Sequence, residues 1–142
     1  LSLLRDPDLA RDAVQETALR FLRNLPEFSG QSQIKTWSFG IAINVVREIR
    51  RQRRFDPDVD LIEAETTSAG PIASAVETEQ RSVLYAVLAD LPQRQREAIV
   101  LRFFEELSVE QTAAAMQCAE GTVKATVHQA LRELRRRLKQ LT

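Results

Sequence analysis

The chain predicts an all-α fold, two small helical domains joined by a flexible acidic linker. Three observations carry that expectation. Apolar residues recur at three- and four-residue intervals on both sides of residue 60. Only four glycines and 6% aromatic residues leave little material for a sheet sandwich. Residues 55–75 break the helical period with Asp-Pro-Asp, Thr-Thr-Ser and Gly-Pro, the composition of a linker between residues 1–54 and 76–142. A length of 142 residues with 44% hydrophobic content suits two small packed units.

Residues 8–25 read as an amphipathic helix. Leu9, Ala13, Val14, Thr17, Leu19, Phe21 and Leu22 supply its apolar surface, and Asp12, Gln15, Glu16, Arg20 and Arg23 are polar. Pro26 and Gly30 end it in a loop over residues 26–32. A second helix spans residues 33–54 with Ile34, Trp37, Ile41, Val45 and Ile49 as its stripe, and Arg47, Arg50, Arg51, Arg53 and Arg54 make its end cationic. After the linker a helix runs to Asp90. Leu91-Pro92 then puts proline at the first turn of a helix reaching Phe104, with Ile99, Val100, Phe103 and Phe104 expected inside.

Residues 107–141 are the most informative. Ser108 and Gln111 have capping-box spacing, Met116-Gln117-Cys118 breaks the pattern, and a longer helix restarts near residues 119–122. Val123, Val127, Ala130, Leu131, Leu134, Leu138 and Leu141 form the expected buried stripe of that helix. Thr122, Ala125, Thr126 and Gln129 lie opposite, small or hydrogen-bonding side chains that suit a DNA major groove. Residues 108–138 therefore read as a helix-turn-helix, with a plain helical hairpin ending in a solvated basic turn as the alternative.

Charge is segregated. Residues 1–54 hold ten Lys/Arg against six Asp/Glu, residues 55–91 one against eight, and residues 92–142 nine against six, so a net charge of zero hides two basic blocks flanking an acidic middle. No apolar run approaches the roughly 18 residues of a membrane span, so no membrane insertion is expected. Charges come too early in LSLLRDPD for a signal peptide, and Leu1 as the first residue predicts that the natural start lies outside this sequence. One cysteine, Cys118, excludes an intramolecular disulfide, fits a reducing cytoplasm and reads as a small buried hydrophobe at the interhelical turn. With a single histidine, His128, no usual zinc site can form. There is no Gly-rich phosphate loop and no nucleophile–base pair. Neither enzymatic activity nor a cofactor is expected.

Several runs together resemble the extracytoplasmic-function (group IV) sigma factors of bacterial RNA polymerase. They are Asp12-Ala13-Val14-Gln15-Glu16-Thr17, Phe28-Ser29-Gly30 with Thr36-Trp37, and Ile41-Ala42-Ile43-Asn44. The second half adds Leu91-Pro92-Gln93-Arg94-Gln95-Arg96-Glu97, Leu101-Arg102-Phe103-Phe104-Glu105, Leu107-Ser108 and Gly121-Thr122-Val123-Lys124. The resemblance covers roughly residues 8–54 and 76–140. It implies a sigma region 2, its first helix missing or shortened here, and a sigma region 4 built on the helix-turn-helix.

That resemblance implies the partners: core RNA polymerase through its β′ clamp and β flap, promoter DNA, and an anti-sigma factor. It also implies site residues. Asp12, Gln15 and Glu16 share one helix face by their spacing and would meet basic residues of the clamp. For the promoter −10 element they are Phe28, Ser29, Gly30, Ser32, Lys35, Thr36, Trp37, Asn44, Arg47, Arg50 and Arg51. Backbone near Ser29 and Gly30 and the Ser32 hydroxyl would read a flipped base, while Lys35, Arg47, Arg50, Arg51 and Arg54 would touch phosphate. Trp37 reads either as core or as a stacking platform, and Asn44 as a backbone contact or a core hydrogen bond. For the −35 element they are Thr122, Lys124, Ala125, Thr126, His128, Gln129, Arg132 and Arg136, with Arg135 adding charge.

The chain departs from the family pattern at Ser29, Gln31, Gly40, Ala125-Thr126 and Gln129, where charged residues are frequent. The reading-helix departures, Ala125-Thr126 and Gln129, predict weak, salt-sensitive −35 binding by the isolated second domain. A regulator binding DNA through the helix-turn-helix without polymerase is the other reading, and the acidic Asp12–Glu16 face argues against it.

Overall fold

In the computed structural model the described residues are 4, 6–30, 33–53 and 75–141, and they are all-helical with no strand among them. The linker, Gln31, Ser32 and Arg54 lie outside them. Helix α1, Pro7–Asn24, starts where Asp6 turns its carboxylate back to accept from the Asp8 amide at 2.9 Å, with Pro7 preset for the first turn. A single 3-10 turn, Leu25–Glu27, follows. Helix α2, Ile34–Arg53, packs on α1 through Ala13, Val45 and Val46, with Ile41 and Ile49 at the rim. Arg20 ties the pair together by reaching Glu16 at 2.9 Å and Glu48 at 2.6 Å.

Helix α3, Ala75–Asp90, leads through Leu91-Pro92 to α4, Gln93–Ile99, whose start is held by Arg96 donating to the Leu91 carbonyl at 2.8 Å. Val87, Leu88, Leu91, Ile99, Ala130 and Leu134 form the core of this half. Helix α4 then widens into a π-helical turn, Val100–Phe104, marked by Glu105 N–H donating to the Val100 carbonyl. The wider turn corrects one expectation. Leu101 rotates inward to 1% exposure, while Phe103 and Phe104 swing out to 52% and 41%.

Helix α5, Val109–Met116, opens with the full capping box: Ser108 Oγ accepts from the Gln111 amide and Gln111 Oε1 from the Ser108 amide. Glu106 and Gln117, the turn residues on either side of α5, are both left-handed at φ 57 and 56. Helix α6, Glu120–Gln140, buries Val123, Ala130 and Leu134, with Val127 partly covered. Leu131, Leu138 and Leu141 depart from the expected stripe and are exposed, Leu131 although its neighbours Ala130 and Leu134 are buried, and Leu138 and Leu141 beyond the last buried position of α6. Val14, Leu19 and Leu22 on α1 likewise point to solvent. No described helix is long and apolar enough to cross a membrane.

The two halves touch. Ile43 of α2 shares one buried cluster with Ala98, Leu101, Leu107, Ala115 and Met116, and Phe39 and Cys118 pack against it.

Candidate nucleic-acid and polymerase interfaces

On α6 the buried stripe positions the reading face. With Val123 and Ala130 fully covered, Thr122, Lys124, Ala125, His128, Gln129 and Arg132 are exposed, and Thr126 is half-buried. Backbone geometry does the rest: Gln117 in the left-handed region closes the turn and Ala119 enters α6 from extended backbone. Arg136, assigned to phosphate, is also exposed, but Glu133 grips it and takes Arg137 at 2.7 Å as well. The two guanidinium groups hold the Glu133 carboxyl down to about 2, Arg136 first through its hydrogen bonds, and Arg136 is raised in turn. This clamp was readable in the sequence as acid and base three and four residues apart on one helix.

On α1, Asp12 and Gln15 are exposed on one face. Glu16 is half-buried and engaged with Arg20. Hydrogen bonds to Glu48 and then Glu16 raise Arg20 further above its ordinary value, and Glu48 is lowered by the same contact.

The loop after α1 presents Ser29 and Gly30 to solvent, with Gly30 at φ 75, a backbone no side chain adopts freely. Phe28 turns inward. Its ring lies 5.0 Å from Trp37, which stands 5.2 Å from Phe21 on the other side. Phe28 and Trp37 are thus brought together at the mouth of the loop, both partly exposed. Ser32 lies outside the described residues.

The −10 candidates on α2 are divided. Lys35 and Arg51 are exposed, and Asn44 and Arg50 are half-buried. Thr36 is only 4% exposed, with its hydroxyl lacking a hydrogen-bond partner. Arg47 is bidentate to Glu97 of α4, Nε to Oε1 at 3.0 Å and Nη2 to Oε2 at 2.8 Å, and Glu97 is 1% exposed. That hydrogen bonding raises Arg47 against the cost of burial. Glu97 also accepts from Gln93 Nε2 at 3.2 Å. Removing one member of such a buried pair costs about 3–5 kcal/mol. Sequence reasoning missed Glu97, and no spacing signal points to it, since its partner lies 50 residues away.

Comparison with known proteins joins these surfaces. Residues 1–55 match the family model for sigma-70 region 2, and residues 81–134 that for sigma-70 region 4. The chain is 39% identical over 136 residues to the ECF RNA polymerase sigma factor EcfG of Rhodopseudomonas palustris, covering 94% of this chain and 74% of that protein. It belongs to the ECF sigma factors. A second relative, the ECF RNA polymerase sigma-E factor of Escherichia coli (strain K12), is 35% identical over 130 residues, covering 84% of this sigma factor and 68% of the relative.

Among solved structures, the sigma factor RpoE, in complex with the anti-sigma factor NepR from Bartonella quintana, matches with a TM-score of 0.77. Identity is 31%, over 97% of this chain and 86% of that one. CnrH, in complex with the cytosolic domain of CnrY, shares the fold with a TM-score of 0.73 at 21% identity, over 99% of this chain and 78% of that one.

Proposed function

We propose that this sigma factor docks on core RNA polymerase in the cytoplasm and directs it to promoters of a stress- or signal-responsive set of genes. Region 2 engages the −10 element and region 4 the −35 element. Asp12 and Gln15, with Glu16 when Arg20 releases it, face the β′ clamp. Region 4 rests on the β flap. The Ser29–Gly30 backbone receives a base leaving the stack, with Phe28 and Trp37 beside it as aromatic surface. The exposed face of α6 enters the −35 major groove, where Thr122, Thr126 and Gln129 meet base edges and Lys124, Arg132 and Arg136 meet phosphate.

The observation that carries this reading is one chain holding both an acidic α1 face with an aromatic-lined loop and a helix-turn-helix with its reading side clear. A DNA-only regulator needs just the second. The linker argues the same way. By its composition alone, a coil of about 20 residues would span roughly 25 Å, against roughly 85 Å for 25 base pairs of duplex, so both halves would engage one promoter only on a scaffold.

Regulation by an anti-sigma factor belongs to the same reading, supported by the similar sigma factor RpoE, whose structure is a complex with the anti-sigma factor NepR. An apolar groove of about 370 Å³ between α1, α2 and the π turn, lined by Ala13, Val14, Phe21, Phe39, Ile43 and Leu101, suits an amphipathic helix that would grip both halves.

The test is in vitro transcription by core polymerase, with and without the full-length protein, on a genomic promoter library. Start sites clustering behind two spaced elements are expected. A protein that, freed of any inhibitor, neither binds core polymerase nor shifts its start sites would defeat the proposal.

A further inference from the structure

The end of α6 carries apolar surface that the described helices leave uncovered. Leu134 is the last buried position of the helix, at 9% exposure, and it packs with Val87, Leu88 and Leu91. Around and beyond it, Leu131, Leu138 and Leu141 stand 41%, 38% and 63% exposed. Their spacing of seven and three residues puts them on one side of the helix. A single exposed leucine is ordinary, whereas three on one face within eleven residues form a patch.

Positive charge surrounds this patch. Residues 132–141 hold Arg132, Arg135, Arg136, Arg137 and Lys139 against one acid, Glu133, which Arg136 and Arg137 already engage. Helical spacing sets Arg135 along one edge of the leucines and Arg137 along the other. Arg132, Arg135 and Lys139 are exposed. Leucines on one side with arginine on both edges suit the boundary of an anionic lipid layer. There the leucines would enter among the acyl chains while the long cationic side chains bend back to the phosphates.

We infer that residues 131–141 dock on an anionic lipid surface, lying flat on it without crossing. Two other occupants fit less well. A second copy would set Arg135 and Arg137 against like charges. An acidic partner helix would answer the charge, but a leucine seam that holds a helix runs roughly three to four heptads. This one covers fewer than two, and a lipid surface needs no matching register. Arg132 and Arg136 also belong to the set that would meet −35 phosphate, so lipid and promoter compete for them. That competition rests on the function proposed above, whereas the lipid face does not.

The experiment is vesicle flotation of the full chain, with helicity followed by circular dichroism. One set of vesicles is phosphatidylcholine alone, and the other adds phosphatidylglycerol. The parent binds the mixed vesicles about tenfold or more above the neutral ones. Leu138→Gln with Leu141→Gln removes apolar surface and no charge. That pair weakens binding about tenfold at unchanged helicity and unchanged affinity for duplex DNA. Arg135→Gln with Lys139→Gln weakens it comparably and makes it less sensitive to salt.

If the leucine pair loses helicity, Leu141→Gln alone decides, with a loss of about threefold. Parent-level binding by the folded leucine variant would mean attraction of charge without insertion, and overturns the proposal. Equal binding to both vesicles, or none, overturns it too. So does a parent that ignores vesicles yet binds an acidic peptide with leucine at heptad spacing, which gives the face to a partner helix. Duplex DNA then tests the competition by releasing the parent from mixed vesicles. DNA that floats with the vesicle-bound chain overturns the competition and leaves the lipid face standing. Lipid docking by a protein that never associates with polymerase would instead reject the proposed function alone.

Discussion

Ala119 starts α6 from an extended backbone with no side chain to accept from the first free amides of the helix. Ala119→Ser supplies that acceptor and should stabilise region 4 by about 1 kcal/mol, read as a shift in the urea midpoint. Ser108 shows the opposite case, where the acceptor is present and used. Lys124, exposed beside the reading face, carries charge and no base information. Lys124→Ala should lower the slope of log affinity against log salt by about 0.9, with sequence preference unchanged, in an anisotropy titration on −35 duplex.

At this scale the sequence was legible wherever chemistry is local. The capping box, the missing cap at Ala119 and the Glu133 clamp all lie within four residues of chain. It was blind at Arg47, whose partner Glu97 lies 50 positions away.

Helix α6 carries its own electrostatic brake. Glu133 occupies Arg136, one of the cations proposed to meet phosphate, together with Arg137. Glu133→Gln should therefore tighten binding to −35 duplex and steepen its salt slope by about 0.9 for each phosphate newly met. The same carboxylate gives a pH signature. Its folded pKa, about 2, lies below the ordinary value of 4.5, so its contribution to stability is complete above pH 4.5 and is lost as pH falls through about 2. The difference in Tm between parent and Glu133→Gln should be constant above that window and close inside it. It should also be small, since the group is partly open to solvent, which screens it.

Apart from the 3-10 turn at Leu25–Glu27, which the sequence reads as loop, every described helix was foreseen to within a residue or two, because each has a periodic face and a proline, cap or turn at its start or end. What periodicity hid was the π turn. An α-helical wheel puts Phe103 and Phe104 inside with Ile99 and Val100, and one extra residue per turn rotates them out, where Phe104 stacks on Tyr85 instead.

For the whole molecule, the expectation of two tethered modules omitted the contact between them. The α2 stripe that makes it, Gln33, Thr36, Gly40, Ile43 and Arg47, is a mixture that no hydrophobicity pattern marks as buried. Its burial depends on a partner surface, not on its own period. Because a single cluster spans both halves, thermal unfolding should be one cooperative transition in the parent. A Cβ at Gly40 would stand 3.8 Å from the Ala115 backbone, so any longer side chain meets α5. In Gly40→Leu, with the halves uncoupled, calorimetry should resolve two transitions. A single transition in both would mean that the halves unfold together for some other reason than the α2–α5 contact.

The backbone at Glu106 and Gln117 also has a practical consequence. Neither residue suits its left-handed conformation, at a strain of roughly 1–2 kcal/mol apiece, and both side chains face solvent. Glycine at these hinges would relieve that strain, partly offset by the freer denatured chain, and should raise the melting temperature of region 4 without touching a proposed DNA contact. A hardier version of this transcription factor for synthetic gene circuits is thus two codon changes away.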